Sequence, residues 1–253
     1  LAAAGLDKRV VASIAQTRPR LDPDAERERL ERHGIQALTW DDDLYPPMLK
    51  EIYDPPPVLF VKGRLLPQDQ RAVAVVGTRR APAYGREACA ALVHDLARSG
   101  VTIVSGLARG IDGIAHRTAL EAGGRTIAVL GSGLDIVYPG EHRGLAEQVT
   151  QAGALVSEHH LGTRPVAQNF PRRNRILSGL SLGVLAVEAP EKSGVMSTVS
   201  WALEQGREVF GVPGSIFSPA SQGVNRLVQD GAKLVLSYTA VLEELNLSAL
   251  GRQ

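Results

Sequence analysis

From residue 73 onward, short β-branched runs alternate with amphipathic stretches, and the runs end on or beside glycine or serine. Val73-Ala74-Val75-Val76 stops at Gly77 and is followed by a helical pattern over residues 84–99, then Gly100. The run 101–104 stops at Ser105-Gly106 and leads to a helical pattern over 111–122. The run 126–130 stops at Gly131, with helical spacing near 141–151, and residues 154–157, 183–187 and 208–211 continue the series. A strand buried on both faces reads as an unbroken apolar run, and such runs separated by helices are βαβ units of a parallel sheet. The expected fold is a doubly wound, mostly parallel α/β domain with right-handed crossovers. Ligands of such sheets bind outside the carboxyl ends of the strands, so function should be written in the residues just after each run.

The chain before this repeat is different. Its first 35 or so residues read as two short helices with Pro19 and Pro23 between them; in Leu21-Asp22-Pro23, Asp22 is placed to cap the second helix and Pro23 to open it. Residues 40–62 are proline-rich and read as a short helix, a rigid extended linker and a strand over 58–61. The organisation expected is an N-terminal helical segment, 1–38, and an α/β domain, 39–253.

Composition excludes several classes. At 253 residues, 44% hydrophobic and 22% charged, the chain is neither disordered nor a disulfide scaffold, and it is long enough to bury its own core. No stretch approaches 18 uninterrupted apolar residues. The sequence opens on Leu, and LAAAGLDKRV lacks the basic and apolar regions of a secretory leader. The single cysteine, Cys89, sits in a helical pattern and reads as a small packing residue, which fits a reducing, cytoplasmic setting. Net charge is +1, but residues 21–54 hold ten acids and four bases, so that stretch is −6 and the remainder +7. A basic body hints at a polyanionic partner.

The strand ends strengthen that hint. They carry Gly77-Thr78-Arg79-Arg80, then Ser105-Gly106-Leu107-Ala108-Arg109-Gly110-Ile111-Asp112, then Gly131-Ser132-Gly133-Leu134-Asp135. Glycines let backbone N–H groups close around an anion, and Arg79 and Arg109 would add bidentate phosphate donors. Tight βα turns would use the same glycines, but three such loops at one sheet edge, two with arginine, favour phosphate binding. The dinucleotide fingerprint is absent, because Leu134, Asp135 and Ile136 follow Gly131-Ser132-Gly133, and Glu191 spoils a Walker pattern at Lys192-Ser193. Residues 164–175 hold Arg164, Arg172, Arg173 and Arg175, with Phe170, Pro171 and Asn174 among them and no acid. Two readings fit: a single-strand groove in which charge follows the backbone and Phe170 takes a base, or a solvated basic loop anchored by Phe170. Because Phe170 precedes Pro171, it is expected in an extended conformation outside a helix.

Other motifs are weaker. Gly179-Leu180-Ser181-Leu182-Gly183 matches G-x-S-x-G, but a helix precedes it and a strand follows, the reverse of a nucleophile elbow. The six histidines show no metal-ligand spacing, so no metal is expected. His116 falls one turn after Asp112 and reads as packing or helix-end support. Glu158 and Glu188 lie at strand ends without forming a mechanism.

These residues resemble the DNA processing protein A family (DprA, also called Smf). The resemblance is carried by Gly77-Thr78-Arg79, residues 105–112 with Ala115-His116, residues 131–135 with Tyr138-Pro139, Ser157-Glu158 and residues 170–175. It continues through Val187-Glu188-Ala189, Gly194 with Ser197-Thr198, Val212-Pro213-Gly214, Gly223-Val224-Asn225 and Gly231-Ala232, in the family's order across about 40–236. It implies a Rossmann-like core that binds single-stranded DNA in natural transformation and loads RecA recombinase onto it. It also implies a homodimer, with no catalytic activity and no cofactor. By that resemblance the essential arginine falls on Arg79, the stacking aromatic on Phe170 and basic contacts on Arg172, Arg173 and Arg175. The DNA-contacting set expected is then Gly77, Thr78, Arg79, Arg80, Ser105, Gly106, Arg109, Gly110, Phe170, Arg172, Arg173, Asn174, Arg175, Ser197 and Thr198. Many family members carry a C-terminal winged-helix module that this sequence does not include, and the N-terminal helical part is short. The leucine-rich stretch 233–250 has two readings, a self-association surface or a segment that closes the chain's own core, and the resemblance favours the first. The alternative is a nucleoside-monophosphate phosphoribohydrolase on a similar core, but Trp201 stands where its catalytic glutamate would be.

Overall fold

The computed structural model describes residues 5, 7–18 and 22–247. Pro19, Leu21, Leu250 and much of the LAAAGLDKRV start lie outside the described residues. Two compact units divide between Gly34 and Ile35. The first holds α1 (Lys8–Thr17) and α2 (Pro23–Arg32). Each begins under an aspartate: Asp7 accepts from the Arg9 amide at 2.7 Å, and Asp22 accepts from the Asp24 and Ala25 amides at 3.1 Å. Pro23 opens α2, where its missing N–H leaves no bond unmade.

The second unit is built on one sheet. Its strands are β1 (Ile35–Thr39), β2 (Val58–Gly63), β3 (Ala72–Val76), β4 (Thr102–Ser105), β5 (Thr126–Val129), β6 (Ala154–Ser157), β7 (Gly183–Ala186), β8 (Glu208–Gly211) and β9 (Lys233–Leu234). Their order is β1-β2-β6-β5-β4-β3-β7-β8-β9. Only the β1–β2 and β2–β6 pairings are antiparallel. The helices are α3 (Pro47–Lys50), α4 (Ala83–Arg98), α5 (Ile111–Glu121), α6 (Arg143–Ala152), α7 (Asn169–Gly179), α8 (Gly194–Glu204), α9 (Gln222–Gln229) and α10 (Tyr238–Glu244). The border read from sequence after residue 38 falls inside β1, whose pairing with β2 places Ile35–Thr39 in the sheet. β1 carries no alternation, since only Ile35 and Leu38 are buried, and β9 is two exposed residues.

The apolar runs are explained by burial on both faces. Ala72, Ala74 and Val76 of β3 join a core with residues of α3, α7 and α8, while Val73 and Val75 join a second core with residues of α4, α5 and α10. Cys89 is fully buried in that second core, and burial pushes its thiol up to about 12. The thiolate is the reactive form. Native protein should therefore resist alkylation at pH 8 and react fully once denatured; rapid native labelling would contradict this packing. The G-x-S-x-G match makes no elbow: Gly179 ends α7, and buried Ser181 donates to the Leu177 carbonyl at 2.9 Å.

Strands β3 to β6 run outward in one direction and β7 to β9 in the other. The loops after β3 and β7 therefore part above neighbouring strands, and a crevice opens at the carboxyl edge of the sheet, the usual place for a ligand in this topology.

Candidate nucleic-acid interface

The loop after β3 is locked from below and free above. A Cβ on Gly77 would lie 2.7 Å from Ile111 Cβ, so only glycine lets α5 approach. Gly110 has φ +72°, and a side chain there would collide with the Thr78 carbonyl. Thr78 donates its amide to the Glu188 carbonyl at 2.6 Å and accepts one from Ile111 at 3.2 Å. The Thr78 hydroxyl accepts the Arg80 amide at 3.2 Å. Arg79 and Arg80 are left exposed, with the Arg79 guanidinium 5.8 Å from the centre of the Phe170 ring.

The other two loops are not open anion cradles as expected. The Asp112 carboxylate accepts the Gly106 amide at 3.2 Å and the Ala108 amide at 3.4 Å, so the chain's own anion fills the turn after β4. Burial raises the Asp112 carboxyl, opposed by the charge of Arg173 and by those two amides. Leu107 is buried at φ 57°, a strained conformation for a branched residue, where its carbonyl accepts from His142 at 2.9 Å. Ser105 is buried and donates to the Val75 carbonyl at 2.7 Å. In the turn after β5, the Gly133 amide donates to Thr163 and Asp135 accepts from the Gly162 amide, both at 2.9 Å. Ser105, Gly106 and Gly110 therefore shape the edge from behind.

Phe170 lies in the first turn of α7, not in an extended segment. Pro171 is tolerated there because first-turn amides have no intrahelical partner. The half-buried ring packs over Gly131, where a Cβ would come within 3.2 Å of it, and beside Tyr138 at 5.8 Å between centroids. Helical rotation divides the basic cluster. Arg164 and Arg172 are exposed, and Arg172 makes one loose pair with Glu158 at 3.8 Å. Arg173 is buried and donates to the Gly106 carbonyl at 3.0 Å and to the Val129 carbonyl. Burial pushes it down to about 10, with Asp112 opposing, so it stays cationic at neutral pH. Arg175 is 2% exposed and fully engaged, with Glu158 at 2.7 and 2.8 Å and the Asp54 carbonyl at 2.8 Å. Burial raises the Glu158 carboxyl, but the hydrogen bonds and charge of Arg175 outweigh it and hold the group low.

Between these elements and the start of α8 lies a cleft of about 700 Å³ at the β3/β7 crevice. Gly77, Thr78, Arg79 and Arg80 border it on one side, Phe170, Tyr138, Arg173 and Asn174 on another, and Ser193, Gly194 and Thr198 on the third. Ser197 and Arg172 are not on its wall, and Arg109 stands outside, paired with Glu141 at 2.7 and 2.8 Å. Both members of that pair are exposed, so solvent screens it. Ser193 precedes α8 as its N-cap without making the usual side-chain cap. Two buried polar atoms bordering the cleft, Ser193 Oγ and Arg173 Nε, have no hydrogen-bond partner among the described residues. A buried donor without a partner is costly, and a ligand oxygen at the α8 N-terminus would remove that cost for Ser193. Sequence reasoning sets Ser193 aside with the failed Walker pattern, although a Ser-Gly pair between strand and helix is the available signal. Among the described residues no cluster fits a metal ion, and no helix is long and apolar enough to cross a membrane. Trp201, at the position a phosphoribohydrolase needs for glutamate, donates its indole N–H to the Pro171 carbonyl at 3.3 Å.

A family model described as DNA recombination-mediator protein A matches residues 36–246. DNA processing protein DprA of Bacillus subtilis is 47% identical over 213 residues, covering 84% of this chain and 72% of the relative. Protein Smf of Escherichia coli is 49% identical over 217 residues, with 85% of this chain but only 58% of that protein covered. The X-ray structure of DNA processing protein A from Streptococcus pneumoniae superposes with a TM-score of 0.84 at 41% identity, over 92% of this chain and 81% of that one. DNA processing protein A from Helicobacter pylori, whose structure is described as revealing a unique single-stranded DNA binding mode, superposes at 0.74 with 30% identity, over 83% of this chain and 96% of that one.

Proposed function

The chain belongs to the DNA recombination-mediator protein A family, and from that premise we propose that it binds single-stranded DNA across the β3/β7 cleft. The observation that carries this reading is the pair of unpartnered polar atoms, Ser193 Oγ and Arg173 Nε, on the same cleft as exposed Arg79 and the Phe170 ring. In this reading a phosphate rests at the N-terminus of α8, with Arg79 and Arg80 along the backbone and a base on Phe170. Thr78, Asn174 and Thr198 line the same cleft, and Arg172 and Ser197 flank it. Gly77, Ser105, Gly106, Gly110 and Arg175 act by holding these groups in place, and Arg109 becomes available by exchanging Glu141 for phosphate.

Loading of RecA recombinase during natural transformation, in the cytoplasm, is the role we propose for the bound complex; it rests on the family resemblance. So does the homodimer. Of the C-terminal apolar residues, Val235, Val241 and Leu242 are spent in the core, whereas Leu234 and Leu236 are 47% and 77% exposed. Light scattering should give about twice the 27.0 kDa of the chain; a monomer at micromolar concentration would reject the dimer.

Salt-dependent affinity for oligonucleotides tests the binding itself. Single strands should bind more tightly than duplex, with log K falling against log salt at about −0.7 per phosphate neutralised. Arg79→Ala should weaken binding by about 1.5–3 kcal/mol without unfolding the protein. Salt-independent affinity, or unchanged binding in folded Arg79→Ala, would overturn the assignment.

A further inference from the structure

A second cleft, of about 540 Å³, opens at the same carboxyl edge of the sheet, between the start of α4 and the loop after β8. Its walls are Pro82, Tyr84 and Pro213, and its polar groups include Glu188, Ser218 and Ser221. Glu188 lies two residues past the end of β7 and is 1% exposed. Among the described residues its carboxylate accepts only the Ser221 hydroxyl, at 3.1 and 3.3 Å from its two oxygens. No Lys, Arg or His among the described residues forms an ion pair with it, and burial pushes the carboxyl up. The side chain is held in place, because a Cβ on Gly85 would lie 2.5 Å from Glu188 Cγ, so glycine at the first turn of α4 makes room for it. The Tyr84 hydroxyl donates to the Pro213 carbonyl at 2.5 Å and fixes the opposite wall. Phe217, 88% exposed, stands on the loop between two serines of the lining.

This is an incomplete recognition site: a carboxylate with spare lone pairs, fixed in position just beneath the surface of an uncharged slot. A carboxylate repels phosphate, so a strand crossing at this point turns its backbone away and a base inward. The two oxygens match an edge with two parallel N–H donors. Among the four DNA bases only guanine offers that, through N1–H and N2–H. Adenine and cytosine set a ring lone pair beside their amino group, and thymine flanks its single N–H with two carbonyls.

We propose that the Glu188 cleft is a guanine-reading subsite for the strand held in the neighbouring β3/β7 cleft. The proposal rests on the single-strand reading above and adds a base preference to an otherwise sequence-tolerant path. The Thr78 amide bonded to the Glu188 carbonyl joins the rims of the two clefts, so a strand leaving one reaches the other.

The test is fluorescence anisotropy with an all-thymine oligonucleotide and the same oligonucleotide carrying one central guanine, inosine, adenine or cytosine. Guanine should tighten binding by roughly tenfold over thymine, the scale of a good bidentate contact. Inosine, which lacks the N2 amino group, should lose most of that gain. Glu188→Gln, which sets an N–H against the guanine donors, should bring the guanine-to-thymine ratio close to one. Equal affinity for guanine and inosine, preference for another base, or a preference that survives Glu188→Gln would overturn the subsite. If that variant does not fold, the guanine–inosine comparison on the unmodified protein decides alone. Binding of the thymine oligonucleotide without base preference would refute only this subsite, whereas absence of binding to every oligonucleotide would also remove the single-strand reading.

Discussion

Arg175→Ala should lose about 3–5 kcal/mol of stability, the usual result of removing one partner from a buried ion pair. The guanidinium closes two hydrogen bonds to Glu158 and one to the Asp54 carbonyl, and it also faces the Asp54 carboxylate at 3.1 Å. It therefore ties α7 to the end of β6 and to the proline-rich segment before β2. Its loss leaves the Glu158 carboxylate, with a side chain only 9% exposed, without its main partner. Arg175→Lys should recover only part of the loss, since an ammonium cannot make the two parallel bonds. Replacing both members together, as Arg175→Met with Glu158→Leu, should recover more than the lysine does, because no charge is then left buried. Denaturant melts of the four proteins test this. If Arg175→Ala instead melts like the unmodified protein while its oligonucleotide affinity collapses, Arg175 contacts DNA directly and does not serve as a structural tie.

That outcome bears on what was legible in the sequence. The sheet was legible because βαβ strands are buried on both faces: the six apolar runs became β3 to β8 with boundaries moved by at most one residue, and the strand read over 58–61 became β2. β1 was not, since Ile35 and Leu38 are buried on a three-residue spacing that signals no strand. The crevice was legible from topology alone, because the residues after β3 had to stand at the carboxyl edge. What could not be read was which way each arginine points. Arg172, Arg173 and Arg175 are neighbours in sequence, yet α7 turns the first outward and the others inward, toward Asp112 and Glu158. Those acids lie 61 and 17 residues away from their partners, a distance that no local pattern spans. The glycine loop after β4 misled for a related reason. Its amides do bind an anion, but the anion is Asp112, six residues further on from Gly106. A glycine-rich turn has the geometry for a phosphate whether or not the chain supplies its own carboxylate, and residue type alone does not distinguish the two cases.

Acid should destabilise the α/β unit through His116 on a comparable scale. His116 is fully buried on α5, with Nδ1 2.7 Å from the Thr126 hydroxyl oxygen. That hydroxyl donates its own hydrogen to the Ile103 carbonyl at 2.8 Å, so Nδ1 must be the donor and Nε2 carries the lone pair. Nε2 has no partner among the described residues. A proton placed there would be a buried charge without an acceptor, and His142, Arg117 and Arg173 add repulsion to the cost of burial. Together these push the imidazole down to about 3. The unfolded chain, with an ordinary histidine near 6.5, therefore binds the extra proton first. Stability from this group is complete above about pH 6.5 and is lost as pH falls toward 3, on the order of 5 kcal/mol in all. Asp112, one turn earlier, accepts amides rather than the imidazole, so it does not offset this loss by pairing with His116. His116→Phe removes the titration and leaves the Thr126–Ile103 bond in place. Between pH 4 and 6 the slope of unfolding free energy should be smaller in the variant by about 1.4 kcal/mol per pH unit, the value for one proton. Equal slopes for the two proteins would mean that His116 reaches solvent and that α5 packs more loosely on β5 than its full burial implies.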